Sequence, residues 1–259
     1  MSDVFVVFGS ASDKKVYEPL LKKFDYQKIS YEFKILSAHK TAKELDKALA
    51  KTKAKIFVCG AGLSAALPGV VAANQTKPVI GIPCKGAYNG LDAFLSVAQM
   101  PPDIPVICVG VENVKSAAKI CEFYLSNLKE IVLIEKKKGE EKKQFEKCKE
   151  FMESNRIPFK VGLRSEFDSS NIFIEFVEIG KKIDEVDCTV ITVPVKSNST
   201  EKDALKSFSQ LQNAYSVGLG NYKNAAISAL ELINLQGNFD SLLKQLRKKA
   251  AKKVLDAKR

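Results

Sequence analysis

Short apolar runs alternate with stretches whose apolar residues recur every three or four positions, and the alternation continues through the first 128 residues. Strand-like runs fall at 4–8, 31–36, 55–59, 79–82 and 106–109. Between them, helical spacing covers 14–24, 41–50, 64–73, 90–98 and 114–128. Strands that are mostly apolar and separated by helices predict a parallel sheet covered on both faces. The expected fold is an α/β doubly wound parallel sheet in three layers. Ligands of such sheets bind beyond the carboxyl ends of the strands.

Four loops of small residues fall at those ends. The first, Gly9-Ser10-Ala11-Ser12-Asp13, follows a strand and opens a helix. Gly9 would permit a tight turn, the serine hydroxyls and free amides at the helix start suit a phosphate, and Asp13 can accept from sugar hydroxyls. The alternative for Ser12 or Asp13 is a plain helix cap. The second, Ser37-Ala38-His39-Lys40-Thr41, holds the only histidine in 259 residues. His39 is either the proton carrier of a site or a surface and capping side chain. The third runs from Gly60 through Ala61, Gly62, Ser64, Leu67 and Pro68 to Gly69, where glycines let the backbone approach a ligand. The fourth, Pro83 to Gly90, precedes Leu91-Asp92-Ala93-Phe94-Leu95-Ser96 and Gln99-Met100-Pro101.

Composition narrows the function classes. The net charge of +11 raises nucleic acid as a partner, but the lysines concentrate only at 135–149, among glutamates, and at 244–259, in an amphipathic pattern. There is no aromatic platform or nucleic-acid motif, so no nucleic acid is expected, and a positive field suits a small phosphorylated substrate. Six cysteines (Cys59, Cys84, Cys108, Cys121, Cys148, Cys188) lack paired spacing and read as buried thiols. With one histidine, no metal site is expected. Val4 to Phe8 is too short for a secretory core, and no run approaches the roughly 20 apolar residues of a membrane span. The expectation is a cytoplasmic protein.

The order GSxSD, SAHK, AGxSAALPG, NGLDAxLSxxQMP, IPV resembles the PurE family, continuously over about residues 4–125. The resemblance implies a flavodoxin-like sheet and an enzyme of purine biosynthesis that makes 4-carboxy-5-aminoimidazole ribonucleotide without a cofactor. It implies that Ser10, Ser12 and Asp13 hold phosphate and ribose, that Lys40 adds charge near the phosphate, and that 60–69 surrounds the base and the carboxylate or carbon dioxide. His39 would be the proton relay. The family has a branch that carboxylates aminoimidazole ribonucleotide directly with carbon dioxide and a mutase branch that moves a carboxyl group from the exocyclic amine. Ser37-Ala38-His39-Lys40 and Ser64 resemble the direct carboxylases, whereas Leu67-Pro68-Gly69 and Gln99-Met100-Pro101 resemble the mutases. The reading favours the carboxylase, with the mutase as alternative. A non-catalytic nucleotide-binding or assembly protein is the alternative of another class.

The motifs also recur. Val79-Ile80-Gly81-Ile82-Pro83-Cys84-Lys85 returns as Val190-Ile191-Thr192-Val193-Pro194-Val195-Lys196, and Asp92-Ala93 with Ser96 and Gln99 as Asp203-Ala204 with Ser207 and Gln210. Val109-Gly110 and Asn113 return as Val217-Gly218 and Asn221. These pairs predict two tandem copies: a catalytic domain at 1–128, a degenerate repeat at 129–236, and a basic carboxyl-terminal helix at 237–259. The second copy is shorter, and the missing piece is expected to match Gly60 to Gly69. Ile134-Glu135-Lys136 and Arg164-Ser165-Glu166 stand where the serine and histidine loops would be, which predicts no independent active site there. A regulatory site using Arg164 is the competing expectation. By resemblance, four chains would build an octamer-like homo-oligomer, with the basic tail packed on a neighbouring subunit.

Overall fold

The computed structural model describes residues 2–257. The first 128 residues fold as β1 (Val4–Phe8), α1 (Lys14–Gln27), β2 (Tyr31–Ile35), α2 (Ala42–Lys51), β3 (Ile56–Ala61), α3 (Ala66–Asn74), β4 (Val79–Pro83), α4 (Leu91–Ala98), β5 (Ile107–Cys108) and α5 (Val114–Leu125). The chain continues with β6 (Ile131–Ile134), α6 (Gly139–Ser154), β7 (Lys160–Gly162), β8 (Ile172–Glu178), β9 (Thr189–Val195), α7 (Glu201–Gln210), β10 (Tyr215–Ser216), α8 (Tyr222–Leu232) and α9 (Asp240–Leu255). The strands form one ten-stranded sheet in the order β2-β1-β3-β4-β5-β10-β9-β8-β6-β7. Every neighbouring pair is parallel except β5 and β10, which meet antiparallel at Cys108 and Ser216.

Read outward from that seam, both halves have the same strand sequence, and the antiparallel pair points their carboxyl ends in opposite directions. The interior strands β1, β3, β4 and β9 are buried along their whole length, which is why they read as unbroken apolar runs. Alternate residues serve opposite faces. Val4, Val6 and Phe8 face a core that runs under both halves and is closed by Leu20 of α1, Cys121 of α5, Met152 of α6 and Leu230 of α8. Phe5 and Val7 face Leu45 of α2, Val71 of α3 and Phe94 of α4.

The second half departs from the expected account of its shortening. Ile56 pairs with Val4 and Ile172 with Ile131, so the register fixes where residues are missing. The connection at 163–171 replaces 36–55 and carries no counterpart of α2, whereas 179–188 replaces 62–78 and carries none of α3. The larger loss is therefore the α2 segment, not the glycine-rich one. Phe167 and Val186, from the two short connections, cover the exposed side of Val132, Phe173 and Val190 instead.

The basic tail is a helix, but it packs on its own chain. Leu243 and Leu246 of α9 are buried, Arg247 Nη2 donates to the Gln75 carbonyl at 3.1 Å, and Lys77 pairs with Asp240 at 3.2 Å. The helix thus straps the second half to the first. All six cysteines are free and buried, and burial pushes the Cys148 thiol up to about 12. Among the described residues no helix is long and apolar enough to cross a membrane.

Candidate active site

A pocket of about 340 Å³ opens beyond the carboxyl ends of β1, β2, β3 and β4. From the first loop it is lined by Gly9, Ser10, Ser12 and Asp13. The Ser10 side chain accepts from the Ser12 amide at 3.2 Å, and the two hydroxyls lie 2.7 Å apart, so the serines form one small polar platform. A Cβ at Gly9 would meet nothing nearer than 3.9 Å, so packing does not demand glycine there. Burial, then the negative charge of Glu112, holds the Asp13 carboxyl above its ordinary value.

Ser37, Ala38, His39 and Lys40 bring the second loop to the same pocket. This turn is tied to itself. The Ser37 hydroxyl accepts from the amides of His39 at 3.3 Å and Lys40 at 3.2 Å, while Ser37 N donates to Thr41 Oγ1 at 2.8 Å. The result leaves the His39 and Lys40 side chains exposed at the pocket. Ser37 and Thr41 build the turn, a task visible in the Ser-x-x-x-Thr spacing once the turn is drawn.

The third loop contributes Ala61, Gly62, Ser64 and Leu67. Gly60 and Pro68 do not line the pocket. A Cβ at Gly60 would run into the Phe8 ring, so that glycine serves packing between β1 and β3, and Pro68 is buried in α3. The fourth loop adds Lys85 and Gly86. The Lys85 amide donates to Glu112 Oε1 at 3.2 Å, and the same oxygen lies 3.1 Å from Lys15 Nζ. Sequence reasoning missed Lys85 and Glu112 as site residues. The position of Lys85 at the end of β4 was the available signal for it; nothing local marked Glu112.

At the corresponding positions of the second half charged side chains pair with one another, and Arg164 and Glu175 line a separate cavity of about 140 Å³. Glu175 on β8 is buried, with Lys136 at 2.9 Å and Arg164 at 3.2 Å, and Arg164 also reaches Asp184 at 3.5 Å. Lys196, beyond β9, pairs with Asp203 at 2.6 Å.

A doubly wound sheet with serines at a helix start, a histidine and a lysine around one pocket defines the class as an α/β enzyme fold with a site suited to a phosphorylated small molecule. The chain belongs to the AIR carboxylase family, whose model matches residues 3–147. It is 42% identical over 118 residues to N5-carboxyaminoimidazole ribonucleotide mutase of Methanocaldococcus jannaschii, covering 44% of this chain and 73% of the relative. The enzyme of the same name from Pyrococcus abyssi is 41% identical over 130 residues, covering 49% and 75%. Phosphoribosylaminoimidazole carboxylase of Schizosaccharomyces pombe is 34% identical over 149 residues, covering 50% of this chain and 27% of that one. A crystal structure of Treponema denticola PurE aligns with 27% identity and a TM-score of 0.42, covering 59% of this chain and 90% of that one.

Proposed function

We propose that the chain makes 4-carboxy-5-aminoimidazole ribonucleotide by adding carbon dioxide directly to aminoimidazole ribonucleotide in the first-half pocket. The observation that carries this reading is the convergence of His39 and Lys40 with Ser10, Ser12 and Asp13 around one cavity. The substrate's ring carbon beside the exocyclic amine is electron-rich and attacks the carbon of carbon dioxide. One carbon–carbon bond forms, and the ring carbon then holds both a hydrogen and a carboxylate. Neutral His39 takes that proton, the ring regains its aromatic electrons, and the histidine releases the proton to solvent. Ser10, Ser12 and the amides at the start of α1 hold the phosphate with Lys40, Asp13 accepts from the ribose, and Ala61 to Leu67 encloses the base.

The mutase reading is favoured by the names of the relatives at 41–42% identity and by Leu67-Pro68-Gly69. It uses the same pocket and the same proton acceptor. Two rate measurements separate the readings: aminoimidazole ribonucleotide with bicarbonate and dissolved carbon dioxide, without ATP, against freshly made N5-carboxyaminoimidazole ribonucleotide. Rapid turnover of the first alone supports the carboxylase, and of the second alone the mutase. No turnover of either by folded, nucleotide-binding protein overturns both in favour of a binding or assembly role.

Our reading assigns residues 1–128 to catalysis, 129–236 to a second copy without a site of its own, and 237–259 to the strap. The repeated strand order and the ion pairs at Glu175 and Asp203 support it. Four such chains would form the octamer-like assembly, which the mass in solution tests. Buried reduced thiols suit the cytoplasm.

A further inference from the structure

We propose that Lys85 is the second cation of the pocket, binding the ring carboxylate at the end opposite Lys40, and that Glu112 holds it there. The inference rests on the proposed function, because it names what that site recognises beyond the phosphate. Lys40 follows β2 and Lys85 follows β4, with β1 and β3 between them. At the usual strand spacing, three steps across the sheet separate the two strand ends by about 14 Å. The product of the proposed reaction is anionic at two ends, a phosphate on the ribose and a carboxylate on the ring. A pocket with a free ammonium at each end matches that charge pattern.

Three observations distinguish Lys85 from a solvated surface lysine. Its main chain is anchored: the Cys84 amide donates to the Ala61 carbonyl at 2.8 Å, the Lys85 amide donates to Glu112, and the Glu112 amide donates to the Pro83 carbonyl at 2.9 Å. Glu112 adopts the left-handed region, φ 54°, to make both contacts. Its carboxylate is engaged by Lys15, so it fixes the Lys85 backbone without capturing the ammonium. Among the described residues neither Lys40 nor Lys85 has a carboxylate partner, unlike Lys136 and Lys196 of the second half. Finally, Asp13 lines the pocket and Glu112 lies behind Lys85, and burial first, then the Glu112 charge, holds the Asp13 carboxyl above its ordinary value. A substrate carboxylate entering there needs a cation, and Lys85 is the one at hand.

The test is calorimetric titration of full-length protein with aminoimidazole ribonucleotide and with its 4-carboxy product. Lys85→Met should weaken the carboxylated ligand about tenfold, the loss of one charge-assisted hydrogen bond, and change the uncarboxylated one less than twofold. Lys40→Met should weaken both alike. As a positioning residue, Glu112 should show the Lys85→Met pattern on Glu112→Ala and recover on Glu112→Gln, which keeps an acceptor for the Lys85 amide. Circular dichroism and thermal midpoints confirm that each variant is folded. Equal losses for both ligands in Lys85→Met, or none, overturn the assignment while leaving the proposed function standing. Wild-type protein that binds neither ribonucleotide overturns the function itself, and this inference with it.

Discussion

The Asn113 side-chain amide donates to the main-chain carbonyl of Gln212 at 2.9 Å, across the seam where the two halves of the sheet meet. On the other side of the seam, Asn221 donates to the Met100 carbonyl at 2.9 Å. Each asparagine also caps its own helix, Asn113 accepting from Ser116 N at 3.0 Å and Asn221 from Asn224 N at 3.2 Å. The backbones approach closely enough that a Cβ at Gly110 would overlap the Gln212 carbonyl, and one at Gly218 would lie 2.9 Å from that of Ala98. The halves hold each other by matching contacts, so equivalent substitutions are expected to cost equal amounts.

Asn113→Ala and Asn221→Ala each remove a cap and an acceptor's partner. Each should destabilise the fold by about 1–2 kcal/mol. Chemical denaturation of the two variants checks this, and a loss at one site alone would contradict the equivalence. Gly110→Ala should cost more, about 2–3 kcal/mol, because the Gln212 main chain cannot move aside as a side chain would.

The His39 ring makes no hydrogen bond or ion pair among the described residues, and the Ser37 turn holds its backbone. His39→Asn is therefore expected to leave the thermal midpoint and ribonucleotide binding near wild type. Turnover should fall by about 100-fold or more. Unchanged turnover would remove His39 from the mechanism.

Glu175 neutralises two cations in the second half. Glu175→Ala leaves Lys136, a largely buried lysine, without its counter-charge and should destabilise the protein by about 3 kcal/mol. Turnover per folded molecule at the first-half pocket should not change. A loss of turnover with the fold intact would give the second half a direct part in catalysis.

Glu231 of α8 is buried beside Arg247 of the strap, 3.6 Å away, and burial pushes its carboxyl up from the usual 4.5 to about 8. Between those values the folded protein keeps a proton that the unfolded chain has released. Stability contributed here therefore falls as pH rises from about 4.5 to about 8, then levels. Glu231→Gln cannot titrate and should flatten this slope. Thermal midpoints at pH 5 and pH 8 check it: the wild type should lose more than the variant over that interval.

Much of this molecule was legible before folding. Periodicity in the first 128 residues marks local burial, and local burial decides strand or helix, so β1 to α5 fall within a few residues of the expected bounds. The four loops at the strand ends follow from the same pattern, because a parallel sheet puts all its carboxyl ends on one edge. The recurring asparagines and glycines at 110–113 and 218–221 were visible too, although their meaning was not. What only the tertiary structure decided depends on pairs of residues far apart in the chain. Lys85 with Glu112, Gln212 with Asn113, and Arg247 with Gln75 are contacts that no short window of sequence reports. The same holds for the shortening of the second half. Offsets along the chain count missing residues, but the strand register alone shows that they came chiefly from α2, because hydrogen bonding between strands fixes which residues are equivalent. The placement of α9 on its own chain, where the resemblance implied a neighbouring subunit, has the same reason: an amphipathic helix states that it must bury a face, and only the assembled core determines which surface receives it.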